Sequence, residues 1–188
     1  MTSFPIDRTK ILDALKYPDG IVDVVIDTDT YNEVDDQFAI AWALGSPERL
    51  NVQAVYAAPF CSRAIQTMLS IPEAALRQFA HYADTPAEGM EKSYQEILNL
   101  FSLMGENPEG RVFRGSDRYI GEDGQPVESE AARDLVRRAM ARREGDRLYV
   151  LAIGAITNVA SAILMEPRIM DKITVVWLGG QPPHYNSA

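Results

Sequence analysis

Apolar and polar positions along this chain fall into blocks of two periods. Ile21 to Ile26 is a β-branched run broken only by Asp23, the pattern of a strand buried on both faces. Asp35 and Asp36 stand where a helix should start, and Phe38, Ala41, Trp42 and Leu44 follow at helical spacing. Gly45, Ser46 and Pro47 stop that helix. "LNVQAVYAAP" predicts a second strand, and Ser62 to Ala83 reads as helical with a break near Pro72. "TPAEGMEKSYQEILNLFSLMG" predicts a helix led in by Thr85 and Pro86 and closed by Gly105. "NPEGRVFRGSDRYIGEDGQPV" reads as a polar, Gly/Pro-rich loop, and Glu128 to Arg143 as a helix with charged outer faces. "RLYVLAIG" predicts a third strand, "AITNVASAILM" a short helix, and "KITVVWLGG" a fourth strand ending in two glycines.

Strands alternating with helices predict an α/β fold, a mostly parallel open sheet with helices on both faces. The 188 residues read as a single α/β domain. In such sheets ligands bind beyond the C-terminal strand ends. Three unusual stretches sit there: the acidic run from Asp27 to Asp36, "GAITN" and "LGGQPP".

Composition narrows the picture a little. A net charge of −9 makes nucleic acid and anionic membrane surfaces poor partners. The single cysteine, Cys61, excludes an internal disulfide and fits a reducing compartment. No stretch approaches the ~20 apolar residues of a membrane span, so a cytoplasmic location is expected. The methionines at 90, 104, 140, 165 and 170, and Trp42, read as core filler. "RDLVRRAMARR" reads as a solvated helix face, and His81 as an exposed helical residue.

Four aspartates and a glutamate crowd into the ten residues from Asp27 to Asp36. Two carboxylates ~4 Å apart at an effective dielectric of ~20 repel by about 4 kcal/mol. Exposure, raised pKa values or a cation can relieve that. Asp27 and Asp29 alternate around Thr28, so both can point to one side, and Asp36 opens the next helix within reach of Asp29. Clustered oxygen donors suit Ca²⁺ or Mg²⁺, and the lack of nearby cysteine argues against zinc.

An apolar strand running into Asp-Thr-Asp, then Asp-Asp opening an apolar helix, resembles the signature of the inosine–uridine-preferring nucleoside hydrolases. "LAIGAITNVASAIL" resembles their strand leading into a Gly-x-x-Thr-Asn turn, and "ITVVWLGG" their strand ending in a Gly pair, in the family's order. The resemblance implies hydrolysis of the N-glycosidic bond of ribonucleosides, with Ca²⁺ holding a water and the ribose diol, and a homo-oligomeric enzyme of base salvage. Carried over residue by residue, Asp29 would be metal ligand and general base, and Asp36 the second metal carboxylate. Ile153 would offer its backbone carbonyl to the metal. Asp35 would bind ribose hydroxyls, Asp27 would support the site, Asn158 would help build its floor, and Asn186 would meet the 5′-hydroxyl side of the ribose.

The sequence departs from the family pattern in three places. "TYNEV" puts five residues rather than three between Asp29 and Asp35, bringing Asn32 and Glu33 to the site. The second strand runs into "APFCSR" where an Asn that touches ribose is usual. "QPPHYNSA" ends before the family's Glu-Phe-Asn segment and its late His-Asp pair, and His184 is not that histidine. The chain therefore reads as the N-terminal part of a longer domain, with an uncovered sheet edge. Two alternatives remain. "DTDTY" also resembles the opening of haloacid dehalogenase-like phosphatases, with Asp27 as nucleophile, Asp29 as acid/base and Mg²⁺ as metal. The other alternative is a cation- or nucleoside-binding remnant without turnover. Trp177 is a candidate to line a base pocket.

Overall fold

The computed structural model describes residues 8–63, 70, 72–78 and 81–179. Its elements run α1 (Arg8–Ala14), β1 (Val22–Thr28), α2 (Val34–Leu44), β2 (Leu50–Ala57), α3 (Glu73–Leu76), α4 (Pro86–Met104), β3 (Val112–Arg114), α5 (Glu130–Met140), β4 (Leu148–Ala152) and α6 (Thr157–Met165). A 3₁₀ turn, Pro167–Asp171, leads into β5 (Ile173–Trp177). The five strands form one sheet in the order β3-β2-β1-β4-β5, every pair parallel. The chain winds outward from β1 in one direction and then returns to wind outward in the other. That reversal opens a crevice between the C-terminal ends of β1 and β4.

β3 lies inside the stretch expected to be a loop. Three residues suffice because they add to an existing edge: Val112, Phe113 and Arg114 pair with Val55, Tyr56 and Ala57 of β2. So short a strand among Gly and Pro leaves no alternation to detect.

Each sheet face carries its own core. On one, Val24, Ile26, Val55 and Val112 pack against Ile40 of α2 and Ile97 and Phe101 of α4. On the other, Val25, Tyr56, Leu148 and Val150 pack against Leu135 of α5 and Val159 of α6. A bulge makes β2 serve both. The register steps from Val24↔Val52 to Val25↔Ala54, skipping Gln53, so Ala54 and Tyr56 turn to the face opposite Val52. The Gln53 side chain accepts from Arg142 Nη2 at 2.8 Å, and Arg142 also pairs with Asp23, tying the segment after α5 to the strand starts.

Caps set the long helices. Thr85 accepts from the Glu88 N–H at 3.2 Å ahead of α4, and Gly105, at φ 70°, closes it. Ser129 accepts from the Ala132 N–H at 3.1 Å ahead of α5. α2 departs from the expected pattern. Ile40 and Ala43 are its buried apolar positions, while Val34, Phe38 and Trp42 form an exposed stripe, Trp42 at 80%. Trp42 is therefore not a core residue. Among the methionines, Met90 is buried and Met140 and Met165 pack on a core, but Met104 and Met170 are substantially exposed. Of the stretch from Ser62 to Ala83, the described residues include only Ser62, Arg63 and Glu73–Leu76 as helix; His81 lies in a turn.

β5 is the outer strand, and Val176, Trp177 and Leu178 are exposed along it, as an uncovered edge requires. No described helix is long and apolar enough to cross a membrane.

Inside the second core, Tyr56 donates to Asp134 Oδ2 at 2.8 Å and Arg138 Nε donates to the same oxygen at 2.6 Å. Arg137 completes the carboxylate's shell. Burial, then the Asp134 charge, raises the Tyr56 phenol well above its ordinary value. Removing the carboxylate strands a buried hydroxyl and the partly buried Arg138. Asp134→Ala should lower unfolding stability by about 3 kcal/mol, and Tyr56→Phe by about 1 kcal/mol, in urea titrations. Equal effects would contradict this account of the network.

Candidate active site

The end of β1 delivers its acids to two depths. Asp27 is fully buried on the α6 side. Its Oδ1 accepts from Asn158 Nδ2 at 2.8 Å, and its Oδ2 is buried without a hydrogen-bond partner. Asn158, at the start of α6, also donates to the Ala57 carbonyl at 3.2 Å. Its own Oδ1 accepts from the Ser116 N–H at 2.7 Å and the Ser116 hydroxyl at 2.9 Å. One amide thus ties together the ends of β1, β2 and β3. The packing there admits no side chain at position 115: a Cβ on Gly115 would lie 1.9 Å from the Ala57 carbonyl oxygen and 2.4 Å from Asn158 Nδ2.

Beyond Thr28 the chain turns into the longer loop. Asp29 is held by Asn32, whose N–H donates to the Asp29 carbonyl at 2.6 Å and whose Nδ2 donates to Oδ2 at 3.0 Å. Tyr31 N–H donates to Ser93 Oγ of α4 at 3.3 Å, and His81 Nδ1 lies 2.6 Å from the Tyr31 carbonyl. Asp36, in the first turn of α2, accepts from Thr28, whose hydroxyl also pairs with that of Thr30 at 2.9 Å. The Asp29 and Asp36 carboxyls lie close enough for each to bear on the other's proton. Both are nearly out of solvent, which disfavours two charges and favours the pair holding a proton at low pH. Burial pushes both pKa values up, and for Asp36 the Asp29 charge pushes further. Asp27 rises to about 7, chiefly through burial, with the Asp29 charge adding and the Asn158 hydrogen bond opposing.

A cleft of 380 Å³ opens above this pair, lined by Asp29, Asn32, Glu33, Asp35, Asp36, Ala39, Ile153, Gly154 and Leu178. It lies at the reversal of strand order. Gly154 presses on Asp29: a Cβ there would sit 2.8 Å from both its N and its Oδ1. Trp177 Nε1 donates to the Gly154 carbonyl at 3.3 Å and fixes that turn from β5.

The family model for the inosine-uridine preferring nucleoside hydrolases matches residues 24–186. The chain belongs to this family. Among solved structures, the purine-preferring ribonucleoside hydrolase from Gardnerella vaginalis aligns with a TM-score of 0.56 at 21% identity, over 85% of this chain and 49% of that one. An inosine-guanosine nucleoside hydrolase aligns at 0.52 and 17% identity, over 82% and 48%. These likenesses establish the shared fold. The chain spans about half the length of those structures. No curated protein matches the sequence.

Of the residues singled out by the nucleoside hydrolase resemblance, Asp29, Asp35, Asp36 and Ile153 line one cleft. Asp27 and Asn158 lie beneath it as a buried, hydrogen-bonded pair. Asn186 and His184 lie outside the described residues. Asn32 and Glu33 of the longer loop do enter the site, and Asn32 orients Asp29. Among the described residues no group of three or more His, Cys, Asp or Glu side chains stands ready to hold a metal. The two facing carboxyls of Asp29 and Asp36 nevertheless fit a hard cation, because a positive charge can take the place of a proton on the pair. Sequence reasoning missed Gly115 and Ser116. The available signal was a Gly-Ser one residue after the apolar pair Val112-Phe113.

Without a cation, the folded protein keeps the Asp27 proton up to about pH 7, whereas the unfolded chain loses it near 3.8. The stability this contributes is complete below pH ~4 and is lost as pH rises through 7. In chelator, unfolding stability should fall between pH 5 and 8. Asp27→Asn should flatten that fall and exceed the parent protein at pH 8. An equal fall in unfolding free energy between the two pH values in the parent and Asp27→Asn, from urea titrations, would contradict the assignment.

Proposed function

We propose that this chain carries the cation- and ribose-binding part of a calcium-dependent ribonucleoside hydrolase, which splits the N-glycosidic bond to give free base and ribose. The observation that carries the reading is the Asp29–Asp36 carboxyl pair, lining a cleft at the strand-order reversal and largely out of solvent, which raises both pKa values. Asp29, Asp36 and the Ile153 carbonyl would hold the cation. When bound, Ca²⁺ would lower the pKa of a coordinated water and orient a sugar diol. Asp29 is the general base that accepts the proton of the attacking water. Asp35, exposed on the rim, receives ribose hydroxyls. The carboxylates together favour the oxocarbenium character of the transition state. Asp27 and Asn158 hold β1 and the α6 turn in register beneath them, and Asn186 is assigned to the 5′-hydroxyl side. Base salvage in the cytoplasm by a homo-oligomeric parent enzyme completes the reading.

The phosphatase alternative needs Asp27 as an accessible nucleophile. Asp27 is fully buried, and the family match runs against it.

Release of reducing sugar from inosine and uridine in the presence of calcium tests the reading. Asp29→Asn should lower the rate on the order of 10³-fold, as expected for loss of a general base that also holds the cation. Ribose release undiminished in Asp29→Asn would overturn the assignment. Calcium and ribose binding without release would leave a binding remnant.

A further inference from the structure

The peptide plane that joins Tyr31 to Asn32 is held at both of its polar ends. Its N–H, that of Asn32, donates to the Asp29 carbonyl at 2.6 Å. Its C=O, that of Tyr31, lies 2.6 Å from His81 Nδ1. A carbonyl oxygen only accepts, so the proton of that bond sits on Nδ1 and the imidazole is the donor. The plane in turn fixes the Cα of Asn32, whose side-chain Nδ2 donates to Asp29 Oδ2 at 3.0 Å. His81 is thus joined to the Asp29 carboxylate through one peptide and one amide.

α4 carries both sides of this link. The Tyr31 N–H donates to Oγ of the fully buried Ser93 at 3.3 Å. Lys92 donates to the carbonyl of Tyr82, the residue after His81, and pairs with Glu88 at 2.7 Å. Its ammonium lies 5.8 Å from the centre of the Tyr31 ring. The imidazole bridges the two segments, with its ring centre 5.0 Å from that of Tyr31. The five residues between Asp29 and Asp35, "TYNEV", contain neither proline nor glycine, so external contacts rather than a rigid turn set the loop's shape. Resting on the ribonucleoside hydrolase reading, we propose that His81 is a positioning residue for the general base: its Nδ1–H holds the Tyr31–Asn32 peptide so that Asn32 keeps the Asp29 carboxylate oriented in the cleft. The contribution is geometric, because a carboxylate base acts only within hydrogen-bond reach of the proton it takes.

Two measurements on the full chain test this. Nitrogen-15 NMR of the imidazole rings at pH 8, with His184→Ala to assign the two histidines, should place the His81 proton on Nδ1. Steady-state release of ribose from inosine with saturating calcium should show kcat about tenfold lower in His81→Ala, with KM unchanged. His81→Asn, whose amide N–H can take the place of Nδ1–H, should recover most of that loss, although the thermal midpoints of the two variants are alike. A proton on Nε2 alone overturns the proposal. So does a parental kcat in His81→Ala, or a loss that follows the thermal midpoint and is not restored by His81→Asn, which would make the ring a packing residue. Each of these leaves the hydrolase reading standing. A folded parent chain that binds calcium and releases no ribose overturns the hydrolase reading itself, and the role of His81 with it.

Discussion

The Asn158 side-chain amide is the interaction on which the site depends. Its nitrogen reaches Asp27 on β1 and the Ala57 carbonyl of β2, and its oxygen takes both donors of Ser116 beyond β3. Both ends of the amide are used, within a fully buried environment where an unmade hydrogen bond is costly. Parallel strands do not align their own ends, because each is joined to the next by a long crossover. A shared polar knot does so here. The absence of a Cβ at Gly115 lets it close.

Above that knot the chemistry is set by crowding. Asp29 and Asp36 approach each other because β1 ends and α2 begins on opposite sides of one short loop. Thr28 supports Asp36 while Asn32 supports Asp29. Two buried carboxylates resist ionising together near neutral pH without a compensating charge. On the hydrolase reading proposed above, a cation would take the place of the proton on this pair, and Asp29, then ionised, would be able to act as the base. Folding stability is thereby spent on a local conflict that a ligand relieves, as is usual at sites of function.

Much of this was legible in the residues. The strand that runs into Asp27, the acids of the α2 first turn and the turn before Thr157 could be placed from periodicity and charge alone. Their convergence followed from the rule that parallel sheets bind ligands at strand ends. The failures have separate causes. β3 was invisible because three residues carry no period. Trp42 was assigned to a core because an apolar stripe looks the same whether a partner covers it or not. The knot at Asn158 joins residues up to 131 positions apart, and no local pattern encodes such a contact.

The exchange of a proton for a cation is the central claim, and the protons released on binding measure it directly. Calcium titrated calorimetrically at pH 6 in two buffers of different ionisation enthalpy should show proton release. The release should diminish at pH 9, where the carboxyls are already ionised. Calcium binding with no proton release at pH 6 would contradict the claim, as would a folded chain that binds no calcium at either pH.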